Sequence, residues 1–159
     1  MVIAFGNDHA GFPLREVVKA HIESLGHEVV DHGTHTADPV DFPDVVANVC
    51  SSIRDGVAER AILVCGTGVG ACIAANKTPT IRAAVCHDIF SSHQCVEHDD
   101  VNVLCIGAMV IGHELAFELV TSFLQAHFST EEHFRRRVRK LHDLEQRSAR
   151  EIVSAVAVD

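Results

Sequence analysis

Short apolar runs alternate with amphipathic stretches along this chain, the order that gives a parallel sheet covered by helices. Val2-Ile-Ala-Phe5 predicts a first strand. From Phe12 to Leu25 apolar side chains recur at helical spacing, with Pro13 suited to a first turn and Gly26 as a stop. His27–Asp31 reads as a second strand, and a polar loop from Gly33 to Asp41 leads into a helix from about Phe42 to Arg54. Gly56 ends that helix before a third strand at Arg60–Val64. A fourth strand is expected at Ile81–Val85 with a helix from about Ile89 to Glu97, and a fifth at Val101–Ile106 with a helix from Gly112 to about His127. Five strands with interleaved helices predict an α/β fold built on an open, doubly wound sheet.

The last segment, about Glu131 to Val156, carries Phe134, Val138, Leu141 and Leu144 on one helical stripe and dense charge elsewhere. It follows the final strand and has no further strand to connect. An appended amphipathic helix of this kind lies on its own domain or on a neighbouring subunit, and a dimer is expected. No repeat, low-complexity tract or linker divides the chain, so residues 1–159 are read as one domain.

Composition narrows the function classes. At 159 residues, 47% hydrophobic and 22% charged, the chain can bury a full core. Its formal charge of −9 argues against a nucleic-acid partner. The basic run Arg135-Arg-Arg-Val-Arg139-Lys140 is the exception, and it reads either as a solvated helix face or as a holder for an anionic substrate end. No apolar run approaches the roughly 18 residues of a membrane span, and no export signal opens the chain. The six cysteines form no Cys-x-x-Cys pair and fall inside strand or helix patterns, as reduced core thiols of a cytosolic protein do.

One cysteine stands apart. In Ala61-Ile-Leu-Val-Cys65-Gly-Thr67-Gly-Val-Gly70-Ala-Cys-Ile-Ala-Ala-Asn76-Lys77 a strand pattern runs through three alternating glycines into a helix pattern. Glycines at 66, 68 and 70 let the backbone turn sharply and point its N–H groups into one space, where the helix terminus adds positive potential. A thiol there is expected to ionise more readily than a free one, which makes Cys65 the first candidate for a catalytic base. The alternative is tight packing alone. The spacing fits neither a phosphate loop nor the dinucleotide fingerprint, since Lys77 comes late and no Ser or Thr follows it.

In such a sheet the crevice lies beyond the carboxyl ends of the strands. The loops to inspect are Gly6–Gly11, Cys65–Gly70, His87-Asp88 and Gly107–Met109, and Glu97-His98-Asp99-Asp100 is expected to offer a further imidazole to the same crevice. None of the twelve histidines has a helical His-Glu-x-x-His spacing or a zinc-type Cys/His pairing, so no metal site is predicted. Cys50, Cys72, Cys86, Cys95 and Cys105 are read as core.

Four segments together resemble the type B ribose-5-phosphate isomerase family, which also includes galactose-6-phosphate isomerase subunits. They are Gly6-Asn-Asp8-His9-Ala-Gly11, Cys65–Gly70 with Ala74-Ala-Asn-Lys77, Ile81-Arg-Ala83 and His98-Asp-Asp-Val-Asn-Val103, and the likeness covers residues 2–150. It implies a Rossmann-like, cytoplasmic homodimer or a tetramer built from it, free of metal and cofactor, that interconverts an aldose and a ketose sugar phosphate in the pentose phosphate pathway or related sugar catabolism. It also assigns roles. Cys65 takes the proton, and the amides of Gly66, Thr67, Gly68, Val69 and Gly70 hold the enediolate. Thr67 orients the substrate, His98 opens the sugar ring with help from Asp8, and His9 contacts the phosphate. One branch of the family carries a glutamate base where this chain has Ala71, so the base assignment falls to Cys65.

Three positions depart from the family pattern. Asp99 replaces an asparagine beside the ring-opening histidine, Met109 replaces an arginine after the fifth strand, and His133 replaces the first of two arginines on the terminal helix, leaving Arg137 in register. Asp99, His133 and Arg137 are the expected substrate contacts there, with Arg135 or Arg136 as substitutes. The leading expectation is isomerisation of D-ribose 5-phosphate and D-ribulose 5-phosphate. The alternatives are the same reaction on allose 6-phosphate, galactose 6-phosphate, a tetrose phosphate, or an unphosphorylated or carboxylated sugar, and a non-catalytic sugar- or nucleotide-binding domain.

Overall fold

The structure is a computed structural model and describes residues 1–156. Five strands, β1 (Val2–Asn7), β2 (Glu28–Asp31), β3 (Arg60–Cys65), β4 (Ala83–Val85) and β5 (Val103–Gly107), pair in the order β2-β1-β3-β5-β4, every pairing parallel. Six helices connect or follow them: α1 (Arg15–Ser24), α2 (Phe42–Arg54), α3 (Val69–Ala75), α4 (Ile89–Asp99), α5 (His113–Gln125) and α6 (Glu132–Val156). Strand order reverses at β1, with β2 added on one side and β3 on the other. The expected doubly wound sheet, with helices on both faces and an appended terminal helix, is what forms.

Burial on both faces explains why the strands read as apolar runs rather than alternating patterns. Ile3, Phe5, Ile62, Val64, Leu104 and Ile106 pack under α1, α4 and α5. Their neighbours Ala4, Ala61, Leu63, Val103 and Cys105 pack under α2 and α3. The second face is built mainly from smaller residues, so α3 lies close to the sheet. That proximity fixes the glycine-rich turn at its start.

Element ends differ from expectation where side chains compete for the backbone. β4 begins at Ala83 rather than Ile81, because the N–H of Arg82 donates to Asn102 Oδ1 (2.8 Å) and its guanidinium to Asp100. β5 begins at Val103 after Asp100 turns the chain with φ +52°. Pro13 sits in a short 3₁₀ turn, Phe12–Leu14, ahead of α1. The terminal helix α6 stands partly clear of the body, with Leu141, Leu144, Ile152 and Val153 exposed. Between it and the β4 edge runs an open groove of about 1370 Å³, lined in part by Ile81, Ala84, Val138, Leu141 and Leu144.

One buried ionic network ties the first helix to the carboxyl edge of the sheet. Arg15, only 2% exposed, donates to Asp31 Oδ1 (3.0 Å) and Asn7 Oδ1 (3.3 Å), and Lys19 Nζ lies 2.6 Å from Asp31 Oδ2. Asn7 in turn donates to the carbonyls of Asp8 (3.1 Å) and Thr34 (3.2 Å). Burial opposes ionisation of Asp31, yet the bonds from Arg15, Lys19 and the Gly33 amide outweigh it and hold the carboxyl well below the usual carboxylate range. Arg15→Met leaves the largely buried Asp31 carboxylate with Lys19 as its one cationic partner, and unfolding should become easier by about 3 kcal/mol, read as a lower urea midpoint. Because the native carboxyl titrates below its unfolded counterpart, its stabilisation is complete above about pH 4 and fades on further acidification. The stability gap between the parent and Asp31→Asn should therefore narrow below that pH.

Candidate active site

The reversal of strand order leaves a crevice between the carboxyl ends of β1 and β3. Cys65 closes β3, and Asp8 follows β1. Their meeting depends on Gly11, because a Cβ there would lie 1.9 Å from the Val64 carbonyl oxygen. Only glycine lets the first loop rest on β3. The loop is then fixed by the Gly11 N–H, which donates to Asp8 Oδ1 (2.8 Å), and by the Asp8 N–H, which donates to Val64 O (3.3 Å). Asp8 Oδ2 accepts from the Cys65 thiol at 3.0 Å.

The glycine-rich turn packs as closely on its other side. Gly68 adopts φ +79° against the Cys105–Ile106 peptide, and a Cβ on Gly107 would meet the Thr67 backbone at 2.8 Å. Ala108 N–H donates to Cys65 O and Met109 N–H to Gly66 O, both at 2.9 Å, which zips the loop after β5 to the turn. The amides of Gly66 and Gly68 act on the Cys65 sulfur in the direction of the thiolate. Thr67 and Val69 are exposed above them, and Met109, 77% exposed, lies against Gly66.

The thiol itself departs from expectation. Burial, followed by the Asp8 carboxylate that accepts its proton, pushes the Cys65 thiol up, and the two amides only partly offset this. Cys65 is therefore held as a thiol on a carboxylate rather than as a free thiolate. It borders a cleft of about 10 Å³, the room of roughly one water, lined in part by Asp8, Phe42, Val45 and Ala71. His9 accepts the Val40 N–H at Nδ1 (3.2 Å), leaving Nε2 as its remaining ring nitrogen.

His98 is not in this crevice. α4 starts after β4 at the carboxyl edge and returns the chain to the amino edge, so the helix end carrying His98 and Asp99 lies at the opposite end of the sheet from Cys65. β5 registers Val103 with Ala61 and Gly107 with Cys65, so this separation exceeds about 13 Å, four residues of strand. At the amino edge His98 stacks on Phe134 of α6, ring centroids 3.9 Å apart. His133 packs on the same ring at 3.9 Å, Arg137 lies 5.7 Å over it, and His133 also pairs with Glu131 (3.3 Å). The predicted site residues thus form two groups. Asp8, His9 and Cys65–Gly70 lie at one edge, and His98, Asp99, His133 and Arg137 at the other.

The family described as ribose/galactose isomerase matches residues 3–141 of this chain. The chain belongs to that family. Ribose-5-phosphate isomerase B of Escherichia coli is 41% identical over 145 residues, 91% of this chain and 97% of the relative. D-erythrulose-4-phosphate isomerase of Pectobacterium atrosepticum is 39% identical over 127 residues, 79% of this chain and 84% of the relative. Among solved structures, ribose-5-phosphate isomerase B of Clostridium thermocellum superposes with a TM-score of 0.90 at 38% identity, covering 93% of this chain and 99% of that one. The Mycoplasma genitalium ribose-5-phosphate isomerase B with bound ribulose-5-phosphate superposes at 0.86 with 31% identity, covering 91% and 96%.

Two residues of this isomerase-family crevice, Phe42 and Val40, escape a reading of the sequence, and a third, His87, was legible only as part of a loop at its edge. Phe42, taken only as the start of a helix, presses its ring on Gly70, where a Cβ would lie 2.9 Å from it. Val40 orients His9 from a loop that reads simply as polar. His87, a candidate proton-transfer group, accepts the Gly107 N–H at 3.0 Å and so fixes the end of β5, while Asp88 caps α4 by accepting the Ser91 N–H (2.7 Å). No local pattern announces these contacts. Cys72 and Cys95, read as core, are partly exposed at its margin, whereas Cys50, Cys86 and Cys105 are buried. Among the described residues, no three His, Cys, Asp or Glu side chains converge as a metal site. Replacing Asp8 with Asn removes the acceptor of the Cys65 proton, so the thiol should titrate at lower pH than in the parent. The pH dependence of Cys65 alkylation by iodoacetamide, read by peptide mass, measures the shift.

Proposed function

We propose that this chain is an aldose–ketose isomerase that interconverts D-ribose 5-phosphate and D-ribulose 5-phosphate through an enediolate, with Cys65 as the base. The observation that carries the reading is the Cys65 thiol, at the start of the glycine-rich turn, donating to the Asp8 carboxylate at 3.0 Å, with the Gly66 and Gly68 amides favouring its thiolate. Asp8 receives the thiol proton, and the thiolate so formed takes the proton from C2 and returns it to C1. Charge that builds on the substrate oxygens meets the turn amides, which stabilise it only as it develops. Thr67, exposed at the mouth, orients the sugar, and His9 offers Nε2 to the phosphate. The family relatives named ribose-5-phosphate isomerase B support the substrate. A tetrose phosphate is the second reading, favoured by the Pectobacterium relative and by Met109 and His133 standing where family members carry arginine.

Ring opening needs His98, which one chain keeps at the far edge. The active enzyme is therefore a homodimer in which each copy places His98, Asp99, His133 and Arg137 over the partner's Cys65. Two features support this pairing. Val69, Ile73, Ile89, Phe90, Met109 and Val110 form an exposed apolar rim around the turn, and the groove under α6 is open. Among the described residues no helix is long and apolar enough to cross a membrane. The cytoplasm, and within it the pentose phosphate pathway, is where we place the activity.

Cys65→Ala should lower kcat on ribose 5-phosphate by on the order of 10³-fold while leaving the circular dichroism spectrum unchanged. A folded variant of undiminished activity removes Cys65 as the base. His98→Asn should slow closed-ring substrate more than the open-chain form. When the impaired Cys65→Ala and His98→Asn proteins are mixed and allowed to exchange subunits, mixed dimers contain one intact site, and on closed-ring substrate about a quarter of parental activity should appear above that of either variant alone. No recovery after verified exchange would mean that each site draws on a single chain. Relative kcat/KM for ribose 5-phosphate and erythrose 4-phosphate decides between the two substrates.

A further inference from the structure

At the amino edge of the sheet an aromatic ring, rather than a hydrogen bond, holds the imidazole of His98. That imidazole, at the end of α4, stacks on Phe134 with 3.9 Å between centroids and 18° between planes. Among the described residues no side-chain hydrogen bond engages either of its nitrogens, and the Glu97 carboxylate stays 3.9 Å from Nε2. His133 lies against the same ring at 3.9 Å with 43° between planes, and the Arg137 guanidinium sits 5.7 Å from its centroid. Three groups that the proposed reaction needs at that edge therefore converge on one half-buried side chain.

The backbone around Phe134 fixes it in place. The Ser129 N–H donates to the Glu97 carbonyl (2.9 Å), one residue before His98, so the connection between α5 and α6 is tied to the end of α4. Arg135 Nε donates to the Ser129 carbonyl (3.1 Å) while its guanidinium lies 5.0 Å from the Phe128 centroid. The Phe134 N–H donates to the Glu131 carbonyl (3.2 Å) as α6 begins. The start of α6 is thereby seated against the end of α4, and Phe134 is the side chain that spans the two.

We propose that Phe134 is a positioning residue for the isomerase reaction: its ring holds the His98 imidazole by the face, so that both nitrogens stay available to a closed-ring sugar, and it seats Arg137 beside that imidazole for the anionic end of the same substrate. This role rests on His98 opening the ring, as proposed above. Ring opening breaks the bond between C1 and the ring oxygen, turns the C1 hydroxyl into a carbonyl and moves that hydroxyl's proton to the ring oxygen. A nitrogen that carries the proton must be aimed at those oxygens, and it cannot be spent on a hydrogen bond that fixes its own ring. Stacking meets both demands, because contact across a π face limits rotation of the imidazole while using neither a lone pair nor an N–H. An aliphatic side chain of similar bulk fills the space and offers no plane.

Phe134→Leu and Phe134→Tyr separate orientation from bulk, and the two directions of the reaction separate ring opening from proton transfer. Ribulose 5-phosphate, its C5 oxygen phosphorylated, cannot close a five-membered ring on its C2 carbonyl and reaches the enzyme open. Phe134→Leu should lower kcat on ribose 5-phosphate on the order of tenfold, the weight of a lost aromatic stack, and leave kcat on ribulose 5-phosphate within about twofold of the parent. KM should rise in both directions as Arg137 loses its seat. Phe134→Tyr, which keeps the ring, should restore both constants. Both directions are read on one preparation, so any unfolded fraction lowers them alike and leaves their ratio unchanged. By proton NMR the His98 Cε1 hydrogen, assigned by its absence in His98→Asn, should lie upfield in the parent under the Phe134 ring current and move downfield in Phe134→Leu. Equal losses in the two directions, undiminished turnover of ribose 5-phosphate by Phe134→Leu, no rescue by Phe134→Tyr, or an unshifted His98 hydrogen in the parent overturns the proposal. His98→Asn measured alongside tells the two readings apart. Where it slows ribose 5-phosphate selectively and Phe134→Leu does not, the role of Phe134 alone falls; where it shows no such selectivity, the ring-opening reading falls and the role of Phe134 with it.

Discussion

The carboxyl edge of the sheet depends on a loop lying flat on the end of a neighbouring strand. Gly11 against the Val64 carbonyl sets the distance between β1 and β3 beyond their last hydrogen bond, and any side chain there would lift the loop away. With the loop seated, Asp8 reaches the Cys65 thiol and its second oxygen is held by a backbone amide. The buried Arg15–Asp31–Asn7 network secures the same loop from behind, so a helix on one face of the sheet stabilises chemistry at its edge.

The consequence for the thiol is a balance of opposing fields. Amide dipoles favour the thiolate, while burial and a neighbouring carboxylate favour the thiol, and here the second pair prevails. For the proposed role of Cys65 in removing a proton from carbon this is not a defect. A base of higher pKa is stronger once formed, and Brønsted behaviour trades its smaller population against its greater reactivity. The carboxylate that raises the thiol is also the group placed to take its proton. A free thiolate on the same turn would be more abundant and a weaker base.

Much of this could be read from the chain because it is local. Strands buried on both faces show as unbroken apolar runs, and a Gly-x-Gly-x-Gly bend between strand and helix patterns locates the amide turn. Cys65 at that bend and Asp8 in the first loop were both legible. The direction of the thiol's shift was not, since it comes from burial in the folded crevice and from a carboxylate 57 residues away in sequence. Phe42 over Gly70 and Val40 on His9 were hidden for the same reason. The placement of His98 is a different case. In a parallel sheet each helix returns the chain to the amino edge, so a residue at the end of α4 lies away from the strand ends that carry Cys65, and the order of elements already implied it.

That topology limits what one chain can accomplish. Proton transfer from carbon needs developing charge met by fixed dipoles in a site from which water is excluded. In one copy the turn lies open beneath Thr67, Val69 and Met109, while the cation Arg137 and the imidazoles of His98 and His133 gather around Phe134 at the other edge. A two-fold axis relating two copies is the arrangement that uses both edges twice, because an isologous pairing that sets one copy's far edge on the other's turn repeats the contact at the second site. In the proposed dimer the same contact would bury the apolar rim, bring positive charge to an anionic substrate and desolvate Cys65 further. Assembly and base strength are then linked through one variable, the water left in the crevice.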